Sequence, residues 1–170
     1  MTDTKKQISK PVARNTSAKI ARILATWFGL GLLPKAPGTW GSLAALPLGY
    51  AVIAWANLEL FCIITALMFV IGIWASSITS NEIGATDPSE IVIDEVVGQW
   101  IVLIIIPHNI ILYFLAFILF RFFDIVKPWP ISWADKKIKG GWGIMIDDEL
   151  AAIFAGIILW LGQIAYENYT

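Results

Sequence analysis

Two pairs of adjacent carboxylates, Asp94-Glu95 and Asp147-Asp148, stand at the edges of long apolar runs, and Asp124 ends another. Five acids so placed could converge on one point if their helices begin or end at the same level. Hard carboxylate oxygens suit Mg²⁺, which keeps several waters and takes one or two carboxylates plus a substrate phosphate. Arg121 and Lys127 bracket Asp124 and could meet such a phosphate, with Pro128 and Pro130 stiffening the backbone beside Lys127. The turn Pro37-Gly38-Thr39-Trp40-Gly41-Ser42 offers backbone N–H groups and two hydroxyls at a helix start, so Gly38, Thr39 and Ser42 could help cradle an anion. Each feature also has a plainer use. Acids near a helix N-terminus are stabilised by its dipole, basic residues anchor one side of a membrane protein, and a Gly-Thr-Ser turn caps a helix.

The elements that must position these residues are apolar. The composition is 58% hydrophobic and 15% charged, against ~45–50% and ~25% in soluble domains, which points to a polytopic membrane protein. The net charge of −1 suggests no nucleic-acid partner. The single cysteine, Cys62, lies in an apolar run; it excludes an internal disulfide and has no nearby arginine to make it a phosphatase nucleophile. Residues 1–16 read as a flexible basic tail with no removable signal peptide, and 17–170 as one integral-membrane domain. The run 17–33 is too short to span and reads as an N-terminal interfacial helix. The fold expected is all-α: a helical bundle with about five spans near 42–56, 58–78, 90–106, 110–123 and 149–166.

Basic residues set the orientation. They crowd the N-terminal region and residues 121–139, while the connections at 57–59 and 107–109 have none. Five spans put every basic segment on the cytoplasmic side. Lys136, Lys137 and Lys139 read as membrane-surface charges. The third span is informative because its uncharged part, 96–106, is roughly half a bilayer long. To cross, its helix should begin near Asp87-Pro88-Ser89-Glu90, which carries Asp94 and Glu95 to headgroup depth. A charge at a helix centre costs ~2.5–3.5 kcal/mol, so two together require a cation or a polar cavity. Residues 140–143, Gly-Gly-Trp-Gly, would either let backbone approach a ligand or permit positive φ in a tight loop.

Four segments, in this order and spacing, carry a resemblance: Pro37–Ser42, Ile91–Trp100, Phe120–Pro130 and Gly140–Ala152. Together they resemble bacterial phosphatidylglycerophosphatase A from about Leu32 to Gly162. The resemblance implies a Mg²⁺-dependent enzyme of the bacterial inner membrane that hydrolyses the terminal phosphomonoester of phosphatidylglycerophosphate in the cytoplasmic leaflet. It also implies a functional set of Asp94, Glu95, Asp124, Lys127, Asp147 and Asp148, supported by Gly38, Thr39 and Ser42. The family favours Ala-Gly where this chain has Ala151-Ala152, a difference that tests helix packing more than chemistry. Lys35 and Glu149 fall at variable positions.

The expected chemistry is attack by water on a phosphate held by Mg²⁺, with Lys127 and Arg121 offsetting phosphoryl charge and Asp94 or Asp148 as general base. His108, the only histidine, is expected at the opposite face, which excludes a histidine nucleophile. The rival reading is a small transporter or channel whose acids bind cations; it requires charges midway along spans and a polar path to the far face.

Overall fold

The computed structural model describes residues 16–169, so nearly all of the expected basic tail lies outside the described residues. Among those residues there are seven α-helices and no strand: α1 (Thr16–Ala25), α2 (Pro37–Trp55), α3 (Leu58–Ile83), α4 (Ile93–Ile105), α5 (Ile110–Val126), α6 (Ile131–Lys137) and α7 (Gly140–Tyr169). A 3₁₀ turn at Leu30–Leu32 leads into α2. The all-α expectation holds. Of the five expected spans, α3 alone combines the length and hydropathy of a membrane crossing, with 26 residues and a mean hydropathy of 2.3. At 13 and 17 residues, α4 and α5 fall short of the ~20 that a bilayer requires.

The position of α4 explains how it can be so short. It packs against α2, α3, α5 and α7, and Ile93, Val96, Val97, Trp100, Val102 and Leu103 are all buried. Irregular backbone at the ends of such a helix is tolerated where protein, rather than lipid, surrounds it. The segment before α4 meets that condition. Ile91 and Val92 are buried, and the Val92 N–H donates to the carbonyl of Ala25 at the end of α1 at 2.9 Å. A salt bridge from Arg22 to Glu90, 3.1 Å long, ties the same two segments. Thus α1 is a buttress as well as an amphipathic surface helix; its buried face is Ala18, Ala21 and Ala25, and it packs on α3.

Three helix starts differ from the sequence expectation. The helix α2 begins at Pro37, ahead of the expected 42, with proline in its first turn. The third apolar helix begins at Ile93, not near Asp87, because Pro88–Ile91 closes a turn that ends with the Ile91 N–H on the Pro88 carbonyl at 2.9 Å. Asp94 and Glu95 therefore occupy the first turn of α4. The last helix begins at Gly140, nine residues before the expected 149. Gly140 alone adopts positive φ there, at 68°. A Cβ on Gly141 would overlap the Ile73 carbonyl and the Ser77 hydroxyl of α3, so this glycine is required for close helix packing, not for a ligand.

Outward faces are strongly apolar. Leu67 and Val70 of α3, Ile111 and Phe114 of α5, and Ile157 and Leu161 of α7 are all exposed. Contiguous apolar surface on this scale signals a lipid or protein environment.

Candidate active site

The early turns of α2, α4 and α7 and the last turn of α5 meet at one end of the bundle. There a cavity of about 220 Å³ is lined by Gly38, Asp87, Asp94, Glu95, Arg121, Asp124, Lys127, Asp147 and Asp148, among others. Six carboxylates thus face two cations. The expected convergence of acids far apart in the chain is met: oxygens of Asp94, Glu95 and Asp148 lie within 4.8 Å of one another. Asp94 and Asp148 are buried, and Glu95 is half-buried.

The other two expected acids are placed differently. Asp124 is held by Arg121 at 2.6 Å, one helical turn back on α5. Asp147 is held by Lys127, which also bonds Asp135 at 2.9 Å. Arg121 reaches further, to Glu95 at 3.5 Å and to the Ser42 hydroxyl at 3.5 Å. The cavity therefore has a core of three clustered carboxylates flanked by two ion-paired acids. The Ser42 hydroxyl in turn donates to the Gly38 carbonyl at 2.9 Å, so it supports the wall without lining the cavity. Thr39 does not line it either.

Local sequence accounts for each placement. Gly38 is where it is because a side chain would overlap the Glu95 carboxylate, with Arg121 Nη1 3.1 Å from the same point. On α4, Asp94 Oδ1 accepts from the Glu95 N–H at 3.0 Å, so the first-turn dipole reading remains compatible with that pair. It does not extend to Asp147 and Asp148, which lie about 10–12 Å along α7 from Gly140, beyond the first turn where a dipole acts. Lys127 terminates α5 in the left-handed region, with φ 45°, directly before Pro128. A non-glycine residue in that region is strained by ~1–3 kcal/mol and persists only where surrounding contacts fix it. Here the two carboxylates fix it. Desolvation opposes the charge on Lys127, but its bonds to Asp147 and Asp135 outweigh that and raise its pKa.

Sequence reasoning missed Asp87 as a site residue. Read as part of a helix start, it stands instead in the loop before α4 and lines the cavity beside Lys127. Although its surface is open on one side, desolvation by the cavity wall, opposed by Lys127, raises its carboxyl above the ordinary 3.8. The available signal was Asp-Pro itself, which favours a turn over a helix interior. Gln99 and Glu149 also carry buried polar atoms without hydrogen-bond partners, yet neither lines the cavity.

The profile of the phosphatidylglycerophosphatase A family matches residues 23–163. The chain belongs to this family. A Haemophilus influenzae phosphatidylglycerophosphatase A is 44% identical over 156 residues, covering 91% of this chain and 96% of the relative. An Escherichia coli phosphatidylglycerophosphatase A is 42% identical over 143 residues, covering 83% of each. No solved structure matches the chain. All four segments that suggested phosphatidylglycerophosphatase A lie within the matched region, and each contributes to the cavity or its wall. The Ala152 departure falls on a fully buried position of α7, within helix packing and away from the cavity lining.

Proposed function

We propose that the protein is a phosphatidylglycerophosphate phosphatase of the bacterial inner membrane. It hydrolyses the terminal phosphomonoester on the cytoplasmic side and releases phosphatidylglycerol and inorganic phosphate. The relatives above bear the name of this activity. The observation that carries the reading is the imbalance of six carboxylates against two cations in one cavity. A phosphate group entering it would meet net negative charge, so phosphate chemistry there requires a divalent cation.

The donor set fits Mg²⁺. Asp94, Glu95 and Asp148 offer clustered hard oxygens, and Glu95 Oε2 and Asp148 Oδ2 are buried with no hydrogen-bond partner. These three residues would hold the ion. Bound there, Mg²⁺ supplies Lewis-acid polarisation of the phosphoryl group and a site for water. Lys127 and Arg121 hold Asp147 and Asp124 and offset charge on the phosphate. In hydrolysis the bond from phosphorus to the glycerol oxygen breaks, a bond from phosphorus to water oxygen forms, and the water proton passes through a carboxylate to the leaving oxygen. Asp94 and Asp148 are the carboxylates for that transfer. His108 takes no part: it stacks near Tyr50, with ring centroids 4.3 Å apart, at the opposite end of the bundle.

Five spans remain our reading of the topology. The described helices α2, α3, α4, α5 and α7 alternate in direction, and every described lysine and arginine belongs to the site end. Against the transporter reading, Phe61, Trp100, Leu103 and Phe120 are buried apolar side chains of the bundle interior. Phosphate release by purified protein from phosphatidylglycerophosphate, with Mg²⁺ and then with EDTA, tests the proposal. Release that requires Mg²⁺ is expected, and it should exceed release from other lipid phosphomonoesters. No release from this lipid under either condition would refute the function.

Gly38 gives a local check. Gly38→Ala should leave the thermal midpoint nearly unchanged, since a flexible carboxylate is what must move. Displacing Glu95 should lower turnover by about 10–100-fold, the scale of disturbing groups that orient a metal ligand. Gly162→Ala, where nothing lies within 4 Å, should change neither. Full turnover in Gly38→Ala would remove Glu95 from the site.

A further inference from the structure

We infer that Gln99 is a positioning residue, whose amide turns to Glu95 Oε2 and Arg121 Nε when Glu95 serves as a metal ligand. This rests on the functional reading above. Gln99 is fully buried on α4, and among the described residues neither its Nε2 nor its Oε1 has a hydrogen-bond partner. A buried amide left so is uncommon and costs free energy at both of its ends. Two atoms of the site have the complementary need. Glu95 Oε2, an acceptor, and Arg121 Nε, a donor, are likewise buried and without partners. One primary amide carries an NH₂ for the first and a carbonyl for the second.

Helix geometry brings the three groups to one level. On α4, Glu95 faces Gly38 of α2 and Leu103 faces Gly49 of α2. Gln99 lies four residues from each, so it belongs to the same stripe, about 6 Å along the helix from Glu95. Helical side chains lean toward the N-terminus of their helix, and the Gln99 amide therefore leans toward the turn that carries Glu95. The helix α5 closes the other side. Phe120 lies against Gly98, and the next residue, Arg121, reaches Glu95 and Ser42 through Nη1. A neutral amide suits this level, since a further acid would repel Glu95 and a lysine would compete with the ion for it. Hydrogen-bonded partners of this kind orient a ligating carboxylate and tune its hold on the metal.

The test uses the full chain in neutral detergent, with thermal melts in EDTA and across a Mg²⁺ series beside phosphate release from phosphatidylglycerophosphate. Gln99→Met keeps the length of the side chain and removes both polar atoms. Its midpoint in EDTA should equal or exceed that of wild type, because two unpaired buried atoms are gone. The Mg²⁺ concentration that stabilises the fold, and the one that gives half-maximal release, should each rise by about 10–100-fold, the scale of losing a group that orients a metal ligand. KM for the lipid at saturating Mg²⁺ should not change. Ile101→Met, on the same helix and off that stripe, should leave all these readings alone. An unchanged Mg²⁺ requirement in Gln99→Met overturns the inference. So does a lower midpoint in EDTA, which would make Gln99 a residue of the packing, and so does an equal effect in Ile101→Met. A wild-type protein that neither hydrolyses the lipid nor responds to Mg²⁺ is a separate outcome: it removes the functional reading, and this inference with it.

Discussion

Asp148→Asn should abolish lipid hydrolysis while making the metal-free protein more stable. Asp148 lies within 4.8 Å of Asp94 and Glu95, and its buried Oδ2 has no hydrogen-bond partner. Without a cation the three acids repel one another, and burial penalises each charge further. An amide of the same shape removes one charge from that cluster, so the thermal midpoint in EDTA should rise. The same change removes a hard oxygen donor and a candidate base. Turnover should therefore fall by more than the ~10–100-fold typical of losing a group that only orients a metal ligand. Mg²⁺ should stabilise the parent, because a ligand that binds only the folded state adds free energy by mass action. It should stabilise Asp148→Asn much less. Thermal melts in EDTA and in Mg²⁺, alongside phosphate release, read both effects. A variant that is destabilised in EDTA, or one that keeps wild-type turnover, would contradict the cluster as a cation site.

That trade of stability for chemistry was partly legible in the sequence. Asp94-Glu95 and Asp147-Asp148 announced themselves because charges beside long apolar runs need a partner. The uncharged stretch 96–106 is too short to span alone, and the reading that its helix extends back to Asp87 fails, since α4 has 13 residues. Helix starts were less legible. Pro88 and the acids beside it match a helix N-terminus in type, but the backbone there turns and gives the Val92 N–H to Ala25, about seventy residues away in the chain. No local pattern encodes that bond. Likewise Gly140–Gly143 reads as loop by propensity, yet close packing of Gly141 on α3 makes it helix. Partner choice was the least legible. Which acids cluster and which pair with Arg121 or Lys127 depends on how α4, α5 and α7 cross, and two neighbours, Asp147 and Asp148, divide between the two roles.

Lys127 should be the position where stability and activity fall together and can then be separated. It bonds Asp147, whose side chain is 6% exposed, and Asp135, whose side chain is 35% exposed. Removing one partner of a buried ion pair is destabilising by ~3–5 kcal/mol, because the other charge is left without compensation. Lys127 itself is 26% exposed, so Lys127→Met should lie at the low end, about 3 kcal/mol, most of it from Asp147. The left-handed backbone of Lys127 adds to the effect, since the two carboxylates that held it no longer do so. Asp147→Asn in the same chain removes the orphaned charge and should recover most of the lost stability; Asp135 can remain ionised because water reaches it. Activity should not return, as the double variant still lacks the cation that faces the phosphate. A double-mutant cycle on thermal midpoints, with phosphate release measured for each variant, resolves the two roles. Additive losses in the cycle would mean the Lys127–Asp147 pair is not formed in the membrane. Recovered activity in the double variant would mean that Lys127 serves only to hold Asp147, and the task of meeting the phosphate would pass to Arg121.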